Sequence, residues 1–285
     1  MVSLVLGPLT QLNTPYPSIS YLARFLHSRG IESRQFDLGI ALVLRIFSRE
    51  GLASIIDGLN EPRSPLGWHA IARREQYLDA IAPVVAFLQG HDRSLGPRIL
   101  RTPFLPDTPR TAGERIAVFG PHAVDDAARH LATGWLADLA DLVAAEVDDG
   151  FGLARYHHHL AAGEIDYTPI HQRLSQTTLI DSVLDELADG IVFDDVVGIS
   201  VPFPGNLYGA LRIGRRLRAR GAYVVLGGGY VNTELREVNE PRLWECTDAL
   251  TFDDGEGPLL GLLEWRAGGA DRRHRTLTAE GRFDA

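Results

Sequence analysis

Short apolar runs that stop at glycine or proline mark both ends of the chain, and three- and four-residue apolar spacing fills its middle. Val2–Gly7 (VSLVLG) is such a run, short and apolar enough to predict a buried strand. Pro8–Pro17 follows as a loop rich in proline and small polar residues. Ser18 stands as a helix cap, with Ile19, Leu22, Ala23, Phe25 and Leu26 on the apolar face of a helix through Arg29 that Gly30 stops. Ile31–Asp37 predicts a second strand. The strand–loop–helix–strand unit so formed has the size of a βαβ element, parallel and right-handed in nearly every case.

From about Ile40 to Asp189 the pattern becomes mainly helical, with segments at Ala41–Phe47, Trp68–Leu88, Ala123–Val147 and Phe151–Ala162. Gly96–Arg110, rich in proline and arginine, reads as loop. The α/β rhythm resumes with strands at Val196–Ser200, Tyr223–Leu226 and Asp248–Phe252. Between and after them come helices at Asn206–Arg220 and Pro258–Trp265, with a short one around Glu234–Glu240. The expected fold is α/β, a flavodoxin-like doubly wound parallel sheet of five strands in the order 2-1-3-4-5, split by a mainly helical insertion. Residues 1–39 and 191–269 form its halves, 40–190 the insertion, and 270–285 a polar, frayed tail.

Composition narrows the chemistry. The 285 residues carry a net charge of −9, which disfavours nucleic-acid partners because such binding relies on neutralising phosphates. All 28 basic residues are arginine, so no Schiff-base, phosphate-loop or catalytic lysine exists. The single cysteine, Cys246, permits neither an internal disulfide nor an iron–sulfur cluster within the chain, and it reads as a buried core thiol. No run approaches the ~18 apolar residues of a membrane span, and no signal peptide is evident, so a cytoplasmic location is expected.

Ligands of open parallel sheets bind outside the carboxyl ends of the strands, where strand order reverses. Four segments fall on that rim: Gly7 to Pro17, Ser200-Val201-Pro202-Phe203-Pro204-Gly205-Asn206, Gly227-Gly228-Gly229-Tyr230, and Asp253-Asp254-Gly255-Glu256. Three glycines directly after a strand make either a groove free of side chains or a tight turn. Ser200 offers a strand-end hydroxyl to a ligand or to a local turn. The acidic run reads chiefly as solvation and capping of the last helix, with a divalent-cation or acid–base site as the other reading. His157-His158-His159 reads as structural or surface histidine, since adjacent helical residues point about 100° apart.

Val197–Asn206 (VGISVPFPGN), Tyr223–Asn232 (YVVLGGGYVN), Leu250–Leu260 (LTFDDGEGPLL) and the opening Thr14–Asp37 together resemble the N-terminal cobalamin-binding domain of B12-dependent radical SAM proteins, in the branch associated with peptide maturation. The resemblance covers the first ~40 and last ~80 residues. It implies a corrinoid whose nucleotide tail meets Ser200 and runs past Gly227 and Gly228, with Thr14, Tyr16 and Ser18 under the corrin face. Val201, Pro202, Phe203, Asn206, Gly229, Tyr230, Asp253, Gly255 and Glu256 would complete the site. Two departures stand out. The DxHxxG motif that supplies a lower histidine ligand is absent, and so is the CxxxCxxC motif of the radical SAM core. The expectation is therefore a cobalamin-binding module without a catalytic centre of its own, a separated, truncated or degenerate relative. Its partners would be a corrinoid and a radical SAM subunit or peptide substrate, with no nucleic acid or membrane. The alternative is a non-binding scaffold that recognises a protein or peptide. A nucleotide-dependent enzyme is the weakest reading, lacking both lysine and GxGxxG after the first strand.

Overall fold

A computed structural model describes residues 1–10, 12, 15–101, 103–112, 123–153 and 167–284. The chain divides into two compact units. One consists of the described parts of Met1–Leu42, Ala154–Thr177 and Asp181–Ala285, the other of those of Val43–Leu153 and Thr178–Ile180. The histidine run 157–159, read as structural or surface residues, most of the helix expected over 151–162, and Thr14 lie outside the described residues.

Strand β1 (Val2–Leu6) is buried along its whole length, as its apolar run demands. The helix α1 (Ser18–Ser28) follows, ended by Gly30 at φ 73°, and then β2 (Ser33–Asp37). Ser18 does not cap α1: Pro17 occupies the cap position with no side-chain bond, and the Ser18 hydroxyl is used elsewhere.

Helix α2 (Leu38–Ile46) leads into the second unit, which contains α3 (Arg49–Asp57), α4 (Pro65–Ala72), α5 (Arg74–Leu88), α6 (Gly96–Ile99) and α7 (Val124–Glu146). The single helix expected over Trp68–Leu88 is two helices broken at Arg73. The stretch expected as loop from Gly96 to Arg110 opens instead with α6, which continues a helical turn at Arg93–Leu95 started by Asp92, whose carboxylate accepts from the Ser94 amide at 3.0 Å. Tyr77, Phe87, Trp135 and Leu139 are among its fully buried side chains.

In the first unit, α8 (Thr168–Leu174) and most of α9 (Leu179–Asp189) group with the sheet. There follow β3 (Val196–Ser200), α10 (Leu207–Ala219), β4 (Tyr223–Gly227), α11 (Gly229–Glu234), β5 (Ala249–Thr251) and α12 (Glu256–Arg266). The short helix expected around Glu234–Glu240 starts instead at Gly229, directly after β4. Two further strands, β6 (Thr276–Thr278) and β7 (Gly281–Phe283), form a hairpin where a frayed tail was expected.

The sheet is seven-stranded and mixed, in the order β2-β1-β3-β4-β5-β6-β7. Pairings among the first five strands are parallel, and β6 and β7 add antiparallel. The expectation of a purely parallel five-stranded sheet is thus corrected. Thr276, fully buried, and Thr278, at 7% exposure, use short polar strands to cover the β5 edge, a role that apolar patterning does not flag.

Alternation along the strands sends Val2, Leu4, Leu6, Val196, Val225 and Ala249 to one face, where they form a core with Ile19, Leu26, Leu259 and Leu262 of α1 and α12. Helix α10 covers the opposite face. A buried ionic cluster ties α8, α9 and α10 together. Asp181, with no exposure, accepts from Arg173 at 2.7 Å and from the Tyr208 hydroxyl at 2.6 Å, while Arg212 makes a two-pronged bond to Asp185.

Candidate functional site

The carboxyl ends of β3 and β4 open into a cleft of about 520 Å³ between the sheet and the helices α1 and α12. Its inner wall is apolar: Leu4, Ile19, Leu22, Val225 and Leu259. Gly198, midway along β3, lies in register with Leu4 and Val225 and also lines it. A Cβ at 198 would meet only Leu4 Cδ2, at 3.5 Å, so the missing side chain leaves open space.

Ser200 closes β3 opposite Gly227 and is 8% exposed. Its hydroxyl oxygen accepts from the Ser18 hydroxyl at 2.9 Å, joining α1 to the strand end, and its carbonyl accepts from Gly7 N–H at 3.1 Å. Both serines line the cleft.

The three glycines serve both readings drawn from the sequence. Gly227, Gly228 and Gly229 wall the cleft with backbone. They also make a tight turn seated on the chain itself. Gly228 has φ 109°, and a Cβ there would come within 2.9 Å of the Val201 carbonyl oxygen; one at Gly229 would lie 3.0 Å from that of Pro202. The Val201 N–H donates to the Gly227 carbonyl at 2.7 Å, and the Tyr230 N–H to the Val201 carbonyl at 3.1 Å. Positive φ and contact with a neighbouring backbone both require glycine at 228.

Several residues expected at the site stand behind it. Val201 is fully buried. Asn206 is also buried, and it donates to the Pro8 carbonyl at 2.8 Å and the Thr10 hydroxyl at 3.1 Å and accepts from Phe203 N–H at 3.1 Å. It therefore ties the loop after β3 to the loop after β1. Neither these two nor Pro202, Phe203 and Tyr230 line the cleft. Phe203 is 43% exposed and meets the Tyr16 ring edge-on at 5.8 Å between centroids, and Tyr16 does line it. Tyr230 is buried, and burial with the nearby Glu234 pushes its phenol up to about 12.

The mouth carries Asp253, Asp254 and Glu256, with Gly255 between them. No side chain caps α12, so the capping expected of this acidic run is not made by a hydrogen bond. Asp253 takes a left-handed φ of 60°, tolerated by aspartate, and its carboxylate pairs with Arg236 and, at 3.5 Å, with Arg275. The hydrogen bond from Arg236 holds its carboxyl below the usual range. Arg275 belongs to the tail, whose carbonyl there also accepts from Phe252 N–H at 2.9 Å. The tail thus helps to fix the rim. Tyr21, 61% exposed, has its phenol raised by the adjoining Glu256 carboxylate. Among the described residues no group of histidine, cysteine and acidic side chains is arranged to hold a metal ion.

Sequence reasoning missed Gly198, Tyr21, Asn232 and Thr251 on this lining. Only Gly198 left a signal, an isolated glycine inside an apolar strand, which marks close approach of a ligand or another backbone. The chain matches no family model, no curated protein and no solved structure. No helix among the described residues is long and apolar enough to cross a membrane.

Proposed function

We propose that the sheet-containing unit is a cobalamin-binding module of the flavodoxin-like doubly wound type. The observation that carries this reading is the cleft: a strand-end serine, three bare glycines and a glycine in the strand floor surround about 520 Å³ of space that no side chain fills. That volume falls within the ~300–1,000 Å³ usual for small-molecule sites. It suits the nucleotide tail of a corrinoid, with the macrocycle outside, against the loop that contains Tyr16. Ser18 and Ser200 would hold the tail by hydroxyl bonds, and Leu4, Leu22, Val225 and Leu259 would bury its apolar ring. Bound, such a cofactor supplies a cobalt that accepts and passes on a methyl group. The one cysteine of these 285 residues cannot hold an iron–sulfur cluster, so the corrinoid would be presented to a radical SAM core supplied by a partner or by a further domain, acting on a peptide or other substrate.

Titration with hydroxocobalamin tests the proposal. A change in the visible spectrum together with co-elution of the colour on gel filtration is expected, and neither would occur if the module does not bind a corrinoid. In that event the alternative, a scaffold that recognises a protein or peptide, gains. Its supporting observation is the exposure of Tyr21 and Phe203.

A further inference from the structure

Strand β2 ends the sheet, and among the described residues no strand pairs with its outer side. The Val2 N–H donates to the Glu32 carbonyl at 2.9 Å, and Val2 stands opposite Ser33. Alternation along a parallel ladder then turns the N–H and C=O of Arg34 towards β1 and those of Ser33 and Gln35 outwards. Beside this open edge, α1 and β2 bound a groove of about 520 Å³. Arg24 and His27 line it from α1, both exposed, and Glu32 is the one acid on its wall. The Gln35 amide oxygen accepts from the Ser20 hydroxyl of α1 at 2.9 Å, so the exposed Arg34 leaves the strand on the face away from α1. Basic side chains thus flank the edge on both faces, and no carboxylate pairs with Arg24 or Arg34 among the described residues. The opposite end of the sheet is finished differently: Arg282 of β7 is matched by Glu237 and Asp284.

We propose that the β2 edge takes an extended acidic segment of a partner protein as an added strand. Its backbone would bond the outward groups of Ser33 and Gln35, and its carboxylates would meet Arg24 and Arg34. Charge chooses this occupant over a second copy of the chain. Two β2 edges laid together about a two-fold axis would set arginine against arginine, which is destabilising. The proposal does not rest on the cleft at the ends of β3 and β4 or on its ligand.

The test uses the full chain and three short acetylated peptide amides: one in which glutamate alternates with threonine, its counterpart with arginine for glutamate, and the acidic peptide with its backbone nitrogens methylated. Amide chemical shifts and hydrogen exchange report binding. The acidic peptide should shift and protect the Ser33 and Gln35 amides. At about 0.02 M salt it should bind on the order of tenfold more tightly than the basic one, and the ratio should shrink at about 0.5 M. Methylation keeps the charge and removes the donors, so it should weaken binding on the order of tenfold. The double variant Arg24→Gln, Arg34→Gln should weaken the acidic peptide by about fivefold. Ser33→Pro removes an outward N–H at the first residue of β2, where proline is tolerated, and should weaken it with circular dichroism unchanged. Equal binding of the methylated peptide would reduce the effect to charge attraction and overturn the assignment, as would saturation without change at Ser33 and Gln35. Protection of those amides in the free chain that grows with its concentration would give the edge to a second copy and overturn it as well.

Discussion

Gly198→Ala should make the protein more stable and its ligand weaker. Gly198 sits in the centre of β3, paired with Leu4 on one side and Val225 on the other, and is not among the glycines at positive φ. Alanine fits that backbone, and its methyl would meet one atom, Leu4 Cδ2, at an ordinary 3.5 Å. Replacing a glycine by alanine at a compatible position removes freedom from the unfolded chain and stabilises by about 0.4–1 kcal/mol. The same methyl enters the floor of the cleft. A ligand packed on that floor must shift or strain, at the ~1–3 kcal/mol typical of overpacking, which weakens it roughly 5- to 150-fold. Gly198→Leu, which fills more of the space, should abolish binding. Urea unfolding followed by circular dichroism measures the first effect, and spectral titration with hydroxocobalamin the second. Native affinity in a stabilised Gly198→Ala protein would refute the claim that the ligand reaches the sheet. A destabilised variant would refute the description of the cleft floor itself.

Other substitutions test the frame around the site. Asp181→Ala leaves Arg173 and Arg212 buried without their shared carboxylate, and should cost about 3–5 kcal/mol in urea unfolding; a loss below 1 kcal/mol would mean that the cluster is not buried as described. Gly228→Ala forces a side chain to φ 109° and against the Val201 backbone, so a loss of about 1–3 kcal/mol is expected, and a neutral result would contradict the seated turn. The Asp253 carboxyl, followed by NMR, should titrate below the usual value of 3.8 and move up towards it in Arg236→Gln. Because its folded value is depressed, the pair contributes stability above the unfolded value, and that contribution is lost as the pH falls through the folded one. An unchanged titration in the variant would show that Arg236 does not hold it.

How much of this was legible in the sequence depended on whether the signal was local. Val2–Leu6, Val196–Ser200 and Tyr223–Gly227 are apolar runs ended by glycine, proline or a polar residue, and their strands agree with the sequence limits to within a residue. The hairpin β6–β7 was not legible, because its strands are three residues long and built on threonine and arginine, with burial supplied by the β5 edge. The break at Arg73 has no glycine or proline to announce it, and apolar spacing continues across it. At the site, the glycines and Ser200 stood out by position in the strand–loop pattern. Asn206 did too, but its partners, Pro8 and Thr10, lie 198 and 196 residues away, so its role as a tie between two loops left no local trace. The Ser18–Ser200 bond spans 182 residues and is equally silent in the sequence, where the more local option, a helix cap, was the natural reading.

The central claim is that the cleft receives the nucleotide tail of a corrinoid against the floor of the sheet at Gly198. Amide chemical shifts of the full chain, recorded with and without hydroxocobalamin, test it most directly. The account predicts shifts concentrated at Gly198, Ser200 and Gly227–Gly229, with Ser18 and Leu22 following. Saturation with no change at those amides, or changes confined to the unit built from α3 to α7, would contradict it.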